Sequence, residues 1–509
     1  MGVLLGLDVG TTGVRAIAVD ESGALISEAS SEYPLHTPHP GWTEQDPEDW
    51  WRGAKEALAE VAGQIEDRVV GIGLTGQMHG SVFLDSSDEI IRPALLWNDQ
   101  RTEKQCENIT EAVGQERLIQ VAGNPALTGF QAPKVLWLRD EEPENYEKVS
   151  RVLLPKDYVR LQLTGEYATD VSDAAGTLFL DVGERNWSRE ILEALEVPKE
   201  WMPAVYEGPE ASGNVRESVA EELGLPSGIP VAAGGGDNAA AAVGVGVIQG
   251  GVISSSVGTS GVIFAHTGEF TPDPSGGLHA FCHAVPGAYH LMGVTLSAGG
   301  SLAWWHDTLD ERFDYEELSG LAAQAPPGAE GLLFLPYLSG ERTPHSDPAA
   351  RGSFFGLTNR HEKSHMTRAL MEGVIFSLKD SLEIMRELGT AIEQVRATGG
   401  GARGELWRRL QADIYGLPIH RTTTDEGPAY GAALLAGVAA GVYEDVREAS
   451  SRVELRDEVE EPAEENVRFY EECHEVYRSL YPATRKQMRR LADLAEKANE
   501  LDEKEVGNG

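Results

Sequence analysis

The sequence contains little cysteine and no long apolar run. Its three cysteines, Cys106, Cys282 and Cys473, lie far apart and form no CxxC pair, so neither a disulfide framework nor a zinc site is indicated. No run of about 18 apolar residues occurs, and the first residues lack the basic and apolar regions of a secretory signal peptide. We therefore expect reduced cysteines and a cytoplasmic protein without a membrane-spanning segment.

Basic residues are also scarce. The chain of 509 residues has 42 Lys and Arg against 82 Asp and Glu, which gives a net charge of −40. A field of this sign repels nucleic acid and anionic membranes, so neither is an expected partner. Because the acidic residues are spread along the whole chain, they favour a solvated surface suited to molar salt, where screening removes the self-repulsion. The composition predicts a halophilic source, such as an archaeon.

No GxxxxGK[ST] phosphate loop is present, which disfavours a P-loop kinase. A GxGxxG pattern does occur at Gly399, Gly401 and Gly404, with Asp425 about 20 residues further on, as a dinucleotide fold requires. A single match of this kind is weak evidence for a dinucleotide enzyme. The same glycine turn can instead let an adenosine lie against the backbone, which makes residues 399–401 and Arg403 part of an ATP site.

Two similar segments lie about half the chain apart. LLGLDVGTTGVRAIAVD at residues 4–20 and VISSSVGTSGVIFAHTG at 252–268 both read as strand, tight turn and strand. Such a turn exposes backbone N–H groups and hydroxyls, including those of Thr11, Thr12 and Gly13, which suits phosphate oxygens. An ordinary hairpin turn is the alternative. The repetition favours phosphate binding and two domains of similar architecture.

Helical and strand patterns alternate between and after these segments. PEDWWRGAKEALAEVAGQI predicts a helix that begins after Asp46 and Pro47, and VVGIGLTG predicts a strand. In the second half, HMTRALMEGVIFSLKDSLEIMREL predicts a long amphipathic helix, and EQVRATGGG predicts a strand followed by a glycine turn. The alternation predicts α/β domains. The segment from Arg485 predicts an exposed, charged helix.

Two carboxylates stand out by their surroundings. Asp237 lies among small residues in GGGDNAAAAVGVG, at 234–246, where a positioned carboxylate could accept the proton of a hydroxyl. A turn residue or an aspartyl-phosphate nucleophile are the alternatives for Asp237. Asp8 follows the strand LLGL and precedes the first turn, where it could approach a phosphate through a magnesium ion. Its alternative role is to cap its own turn.

Many segments of the chain resemble the FGGY family of carbohydrate kinases. They include GLDVGTTGVRA, GLTGQMHG, ALLWNDQR, GFQAPKVLWL, LLPKDYVRLQLTGEYATDVSDAAGT, GGGDNAAAAVGVG, VGTSGV, LPYLSGERTPH and TGGGARGELWRRL, in order over residues 3–480. The resemblance implies two tandem actin-like (ribonuclease-H-like) α/β ATPase domains with an interdomain active-site cleft. We expect an N-terminal domain over 1–245, a C-terminal domain over 246–484 and a charged helical tail over 485–509.

The resemblance also implies roles for single residues. Asp237 corresponds to the catalytic base, and Asp8 to the acid that helps hold magnesium and phosphate, with Asp237 as a second metal ligand. Contacts with the sugar are assigned to Met78, His79, Asp237, Asn238 and Trp97, and contacts with ATP to Thr11, Thr12, Gly13, Thr259, Gly300, Gly400 and Arg403. The polar segment WNDQR could face the sugar or form an interlocked salt-bridge turn. In GFQAPK, Gln131 stands where the family pattern has Thr.

The implied reaction is transfer of a phosphoryl group from ATP, with Mg²⁺, to a sugar. D-xylulose, giving D-xylulose 5-phosphate, is the leading expectation, and ribulose, glycerol and gluconate are alternatives. An actin-like ATP switch without enzymatic activity and a sugar sensor derived from a kinase are alternatives of another class. Both lose weight because both phosphate turns are present, as is the segment GQMHG at residues 76–80, here called the sugar segment. The sequence leaves the oligomeric state open, and a homodimer is compatible with it.

Overall fold

The computed structural model describes residues 2–66, 68–309, 312–424 and 427–506. Asp425 and residues 507–509 of the expected tail lie outside the described residues. The strands are β1 (Gly2–Val9), β2 (Gly13–Asp20), β3 (Leu25–Glu32), β4 (Glu44–Gln45), β5 (Arg68–Gly76), β6 (Val82–Leu84), β7 (Ala94–Leu95), β8 (Arg151–Leu153), β9 (Ala168–Asp170), β10 (Leu180–Asp181), β11 (Asn186–Trp187), β12 (Ala204–Tyr206), β13 (Ala211–Asn214), β14 (Pro230–Gly236), β15 (Gly251–Val257), β16 (Gly261–Thr267), β17 (His279–Cys282), β18 (Tyr289–Thr295), β19 (Leu333–Leu335), β20 (Ser353–Phe355), β21 (Ile392–Thr398) and β22 (Ile419–His420).

Helices account for much of the remaining described chain. The α-helices are α1 (Pro47–Gly63), α2 (Glu103–Val113), α3 (Gln115–Ala122), α4 (Gln131–Glu141), α5 (Pro143–Tyr146), α6 (Pro155–Thr164), α7 (Val171–Ala175), α8 (Arg189–Ala194), α9 (Glu217–Leu223), α10 (Asp237–Gly244), α11 (Gly299–Thr308), α12 (Tyr315–Gln324), α13 (Lys363–Glu387), α14 (Glu405–Tyr415), α15 (Gly427–Ala439), α16 (Val446–Ser450) and α17 (Glu464–Val506). Short 3₁₀ helices occur at Lys199–Trp201, Pro327–Gly331 and Gly400–Ala402.

Two six-stranded sheets share one plan. The strand orders are β13-β14-β5-β1-β2-β3 and β17-β18-β16-β15-β21-β22. In each sheet an antiparallel hairpin, β1–β2 or β15–β16, is joined along its first strand by a parallel strand, β5 or β21. Both predicted strand–turn–strand segments are therefore confirmed, and the repeat in the sequence is a repeat in topology.

Local signals correctly predicted several elements. Helix α1 begins at Pro47, and the Asp46 side chain accepts a hydrogen bond from Glu48 N at 3.0 Å, so Asp46 is the N-cap. The expected strand after α1 is β5, the long helix of the second half is α13, and EQVRAT forms most of β21. Residues 485–506 are helical as expected, but the helix α17 that contains them already begins at Glu464 and includes Pro482.

The chain divides into two compact units. Unit 1 comprises Met1–Gly250, His266–Leu291 and Thr422–Glu454, and unit 2 comprises Gly251–Ala265, Met292–Arg421 and Leu455–Gly509. The units are defined by spatial packing and not by order along the chain. Helix α15 therefore belongs to unit 1, although it comes late in the chain.

Alternate residues of β1 pack into different cores of unit 1. Leu5 and Leu7 belong to a cluster with residues of α1, whereas Leu4 packs with residues of α15, because successive side chains of a strand point to opposite faces. Helix α15 lies so close to β1 that a Cβ atom on Gly6 would stand 1.9 Å from Ala429 O. Similarly, a Cβ atom on Gly431 would stand 1.8 Å from Ala240 O of α10. The small residues of α10 and α15 therefore permit close packing between these two helices.

No helix within the described residues is both long enough and apolar enough to cross a membrane.

Candidate active site

Three parallel strands of unit 1 end side by side. Asp8 of β1 is in register with Thr75 of β5, and Thr75 is also in register with Gly235 of β14. The residues that follow these strand ends include Met78 and His79 after β5 and Asp237 after β14. Ligands of open α/β sheets bind outside the carboxyl ends of the strands. This edge of the sheet therefore brings together Asp8, the sugar segment and Asp237.

Asp237 is the first residue of α10. Its Oδ1 accepts hydrogen bonds from Asn238 N at 2.7 Å and from Asn238 Nδ2 at 2.9 Å. Burial raises the pKa of Asp237 from 3.8 to about 6, although both hydrogen bonds from Asn238 favour the ionised form. Asp237 is thus a fixed carboxylate that ionises near neutral pH.

A close contact with Met78 explains why the residue before Asp237 is a glycine. A Cβ atom on Gly236 would lie 2.9 Å from Met78 Sδ, and Met78 is only 5% exposed. The end of β14 can therefore approach the sugar segment only because residue 236 lacks a side chain.

Asp8 is the second carboxylate at this edge. Burial, followed by the nearby Asp237, raises the pKa of Asp8 from 3.8 to about 7, and Arg15 opposes this shift. No hydrogen-bond partner for the buried Asp8 Oδ1 is found in the part of the chain that the structure describes. A carboxylate with an unsatisfied buried oxygen beside a second carboxylate has the donor chemistry that a hard divalent cation requires.

A complete protein cage for a metal ion is absent from the described residues, where no group of three or more His, Cys, Asp or Glu side chains is arranged to hold one. This finding is compatible with Mg²⁺, which commonly uses one or two carboxylates together with water and substrate phosphates. Asp8 and Asp237 therefore fit such an ion.

The first turn is held by side chains. Thr11 Oγ1 donates to Gln77 Oε1 at 3.2 Å and accepts from Trp97 Nε1 at 3.0 Å, while Thr11 O accepts from Gln45 Nε2 at 2.7 Å. Thr12 is exposed at the tip of the turn. Gly13 has a packing role, because a Cβ atom there would lie 2.7 Å from Ser31 O of β3. Sequence reasoning missed Gln45 and Gln77, which carry no local pattern.

The sugar segment after β5 has a strained backbone that is held in place by hydrogen bonds. His79 has φ of 69°, an uncommon conformation for a residue with a side chain. Its Nδ1 lies 2.6 Å from Gly176 O, and its carbonyl accepts from Lys134 Nζ at 2.9 Å. Gln131, the departure from the family pattern, donates to Gly80 O at 3.0 Å and to Leu153 O at 3.2 Å. Lys134 and Gln131 are thus supporting residues that sequence reasoning did not assign to the site.

Within WNDQR, Trp97 differs from the residues that follow it. Trp97 is 40% exposed and binds the first turn through Thr11. Asp99 is fully buried, pairs with Arg101 at 2.7 Å and accepts from Thr43 N at 2.7 Å. The Arg101 guanidinium lies 3.7 Å from the ring centroid of Trp42. The segment therefore includes an interlocked ion-pair turn, while Trp97 contacts the phosphate turn.

Unit 2 contains a cavity of about 1070 Å³. It is lined by all four residues predicted to bind ATP in the second half, Thr259, Gly300, Gly400 and Arg403. Tyr315 and Trp407, which the sequence did not single out, also line it. Its volume matches that of cavities that enclose small-molecule ligands.

The second turn is held by backbone groups at the start of α11. Gly258 O accepts from Gly299 N at 2.7 Å, and Thr259 O accepts from Ala298 N at 2.9 Å and from Gly300 N at 3.0 Å. Gly399 has φ of 74°, and a Cβ atom there would stand 2.8 Å from Val257 O. These glycines allow the two loops to lie against the turn at the cavity wall.

Glu341 of GERTPH is buried and binds backbone N–H groups. Glu341 Oε1 accepts from Leu296 N at 3.0 Å and from Arg342 N at 2.7 Å. Burial raises the pKa of Glu341 from 4.5 to about 8.

Two known sequence patterns match the chain, one in each half. The N-terminal domain of the FGGY family of carbohydrate kinases matches residues 3–244, and the C-terminal domain of that family matches residues 253–440. The chain belongs to the FGGY family. It is therefore a carbohydrate kinase with two actin-like domains, and ATP is a substrate of this family.

FGGY relatives resemble the chain over nearly its whole length. Xylulose kinase of Escherichia coli K12 is 43% identical over 480 residues, which cover 94% of this chain and 98% of the relative. Xylulose kinase of Bacillus subtilis 168 is 40% identical over 489 residues, 95% of this chain and 98% of the relative. The crystal structure of a ligand-bound xylulose kinase from Lactobacillus acidophilus superposes with a TM-score of 0.92 at 28% identity, covering 96% of this chain and 100% of that chain.

Proposed function

We propose that this FGGY kinase transfers the γ-phosphoryl group of ATP to the terminal hydroxyl of D-xylulose and releases D-xylulose 5-phosphate and ADP. The observation that carries the proposal is the position of Asp237 beside the sugar segment in a chain whose relatives are xylulose kinases over nearly its full length. Asp237 accepts the proton of the attacking hydroxyl as the new P–O bond forms. A carboxylate is basic enough for this step, because in a loose transition state the proton leaves late.

The other residues of unit 1 have binding roles in this proposal. Met78, His79, Asn238 and Trp97 contact the sugar, and Thr11, Thr12 and Gly13 form the turn that accepts phosphate oxygens. Asp8 holds Mg²⁺ together with Asp237. When bound, the ion neutralises phosphate charge. Without it, the two carboxylates would repel the phosphates.

In unit 2 the cavity around Thr259, Gly300, Gly400 and Arg403 takes the nucleotide. Its glycines leave the backbone accessible, so that the ribose and the phosphates can lie against main-chain N–H groups. Tyr315 and Trp407 add aromatic surface that suits an adenine ring.

A sugar panel tests the substrate. Purified protein is assayed with ATP and MgCl₂ against D-xylulose, ribulose, glycerol and gluconate, at about 0.1 M and about 2 M KCl. Both salt concentrations are included because the protein carries a net charge of −40. The Debye length falls to about 3 Å at 1 M salt, so concentrated KCl screens the repulsion between these charges. We expect the highest kcat/KM on D-xylulose. Turnover of another sugar with none on xylulose contradicts the proposed substrate.

Replacement of the base tests the mechanism. Asp237→Asn keeps the size of the side chain and removes the proton acceptor, so kcat should fall by about 100- to 10,000-fold. Calorimetry should show nearly unchanged binding of xylulose. Asp20→Asn is a matched control, because Asp20 is a carboxylate that binds only its own turn, through Ser22 N and Ala24 N. Wild-type turnover by Asp237→Asn rules out Asp237 as the base.

A further inference from the structure

The strand that carries Asp237 contains a β-bulge. In β14, Ala232 is in register with Gly73 of β5, and Gly235 is in register with Thr75, so Ala233 and Gly234 together face one residue, Leu74. Gly234 has φ of 77°, and a Cβ atom there would stand 1.7 Å from Leu74 O. A bulge of this kind bends the strand and changes the direction of the residues that follow it. In β14 those residues lead directly to Asp237.

A buried arginine binds the carbonyl groups of this bulge. Arg160 of α6 is fully buried, and it donates from Nη1 to Ala232 O at 2.9 Å and from Nη2 to Ala233 O at 2.6 Å. Carbonyls of successive strand residues ordinarily point in opposite directions, whereas the bulge lets one planar guanidinium bind both. Arg160 also donates to Ser212 Oγ, on the neighbouring strand β13. Its contacts therefore depend on the bulged conformation.

A second buried connection reaches the residue before Asp237. Lys156 Nζ lies 2.9 Å from Asp170 Oδ1, and Asp170 Oδ2 accepts from Ser172 Oγ at 2.5 Å. Ser172 Oγ in turn accepts from Gly236 N at 3.1 Å. The end of β14 is thus bound both by the arginine and, through Ser172, by this series of polar contacts.

The two connections share a network of charges without solvent contact. Lys156 Nζ also lies 2.8 Å from Asp157 Oδ1 and 3.0 Å from Asp173 Oδ2, and Arg160 Nη2 lies 3.4 Å from Asp157 Oδ1. Burial, followed by the neighbouring carboxylates of Asp157 and Asp170, raises the pKa of Asp173 well above its ordinary value, and Lys156 opposes this shift.

Such a network is costly to bury. Well-packed apolar residues often replace buried ion pairs without loss of stability, so stability alone is a weak reason for its presence. We infer that Arg160 is a positioning residue for catalysis, which holds the β14 bulge in the single conformation that directs Asp237 at the sugar hydroxyl. The inference rests on the proposed role of Asp237 as the base.

A double-mutant cycle tests the inference. Arg160→Lys keeps the charge but cannot bind both carbonyls as a planar fork, so kcat should fall by about 100-fold, as small misplacements of a reacting group do. The KM for xylulose should change less than about threefold, because Met78, His79 and Trp97, three of the four residues proposed to contact the sugar, do not follow β14. In the Asp237→Asn background the same replacement should lower the residual kcat by less than about threefold, since no base remains to be misplaced.

Arg185→Lys is the matched control. Arg185 lies in the same unit and donates to a carboxylate, Glu207, and to a backbone carbonyl, Ala288 O, both of which lie outside β14. We expect Arg185→Lys to lower Tm while leaving kcat within about threefold of wild type. The inference is wrong if Arg160→Lys lowers kcat equally with and without Asp237, or if Arg185→Lys lowers kcat as much as Arg160→Lys.

A milder variant covers the case in which Arg160→Lys does not fold. Ser172→Ala removes the acceptor of Gly236 N, and we expect a roughly tenfold loss of kcat at unchanged KM that again disappears in the Asp237→Asn background. An equal loss in both backgrounds overturns the inference. Failure of the base assignment has a different signature, because Asp237→Asn alone then retains turnover.

Discussion

The two phosphate turns have nearly the same sequence but differ in their surroundings. Both follow the first strand of a hairpin, and both are closed by a backbone bond of 3.0 Å, Gly10 N to Gly13 O in the first and Gly258 N to Ser260 O in the second. Glutamine, tryptophan and threonine side chains hold the first turn. Backbone N–H groups of the start of α11 hold the second.

The residue two positions before each turn carries the chemical difference. It is Asp8 in the first hairpin and Ser256 in the second. Asp8 lies at the strand edge that also presents Asp237, whereas Ser256 lies near the glycine loop, where a Cβ atom on Gly399 would be 3.2 Å from Ser256 Oγ. One repeated element thus carries a buried carboxylate at the strand edge in unit 1, whereas in unit 2 it carries a hydroxyl beside a turn that lines the cavity.

The largest effect on kcat should come from replacing Asp8 of the first hairpin by serine, the residue at the equivalent position 256 of the second hairpin. Asp8→Ser removes one of the two carboxylates proposed to hold Mg²⁺, so kcat should fall by about 100- to 1000-fold, as loss of a group that stabilises transition-state charge does. Steady-state kinetics at varied MgCl₂ measure the loss. Ser256→Ala is the control in the other hairpin and should change kcat less than about threefold. Retention of kcat within tenfold by Asp8→Ser contradicts the assignment.

The difference in charge should also appear in the stability of the apo protein. Because the pKa of Asp8 is raised from 3.8 to about 7, the folded state keeps a proton that the unfolded chain loses near pH 4. The wild-type protein therefore loses stability as pH rises from about 4 to 7. Asp8→Asn should be more stable by about 1–3 kcal/mol above pH 7 and equal to wild type below pH 4.

Urea unfolding in EDTA without nucleotide measures this difference. The difference in stability between Ser256→Ala and wild type should not change with pH, because Ser256→Ala retains Asp8. An Asp8→Asn protein that is less stable than wild type at pH 8 means that Asp8 has a stabilising partner when ionised.

The contact between the second turn and the glycine loop after β21 should be sensitive to the size of residue 399. Gly399→Ala places a Cβ atom 2.8 Å from Val257 O at a φ of 74°, so the loop must move at the nucleotide cavity. We expect the KM for ATP to rise by about tenfold with the KM for xylulose unchanged. Gly389→Ala is the control, because Gly389 also has a positive φ, 87°, but no atom within 4 Å of the added Cβ. Equal effects of the two replacements would mean that strain alone, not the cavity, is responsible.

The smallest expected effect concerns the side-chain support of the first turn. Trp97→Phe removes the hydrogen bond to Thr11 Oγ1 but keeps an aromatic ring, and the loss of one hydrogen bond of about 1 kcal/mol corresponds to about a fivefold fall in kcat/KM. Trp187→Phe removes a comparable bond to Pro203 O away from the strand edge and serves as the control. A kcat/KM for Trp97→Phe that equals the control value shows that Trp97 does not support the turn.

Local patterns predicted much of the site. Asp8, Asp237, Met78 and His79 come to one strand edge, as expected of residues that follow parallel strands. The four residues assigned to ATP in the second half line one cavity. Their chemical roles stay predictions until the replacements are measured.

Supporting residues were not predictable in the same way. Gln45, Gln77 and Lys134 act through hydrogen bonds to backbone groups that are distant in the chain, for example between Lys134 Nζ and His79 O. A single glutamine or lysine in a helix, a loop or a two-residue strand has no spacing that indicates such a partner. Arg160 likewise lies in α6, a helix that is buried along nearly its whole length, and only the bulge in β14 shows what it binds.

By itself the sequence determined the elements that depend on neighbouring residues, including both hairpins and the N-cap of α1, because turn and cap chemistry acts within a few residues. It also determined the family. The tertiary structure alone decided that α15 packs on the first sheet, that Arg160 binds the bulge and that burial raises the pKa values of Asp8 and Asp237. These properties depend on groups far apart in the chain, whose proximity and desolvation exist only after folding.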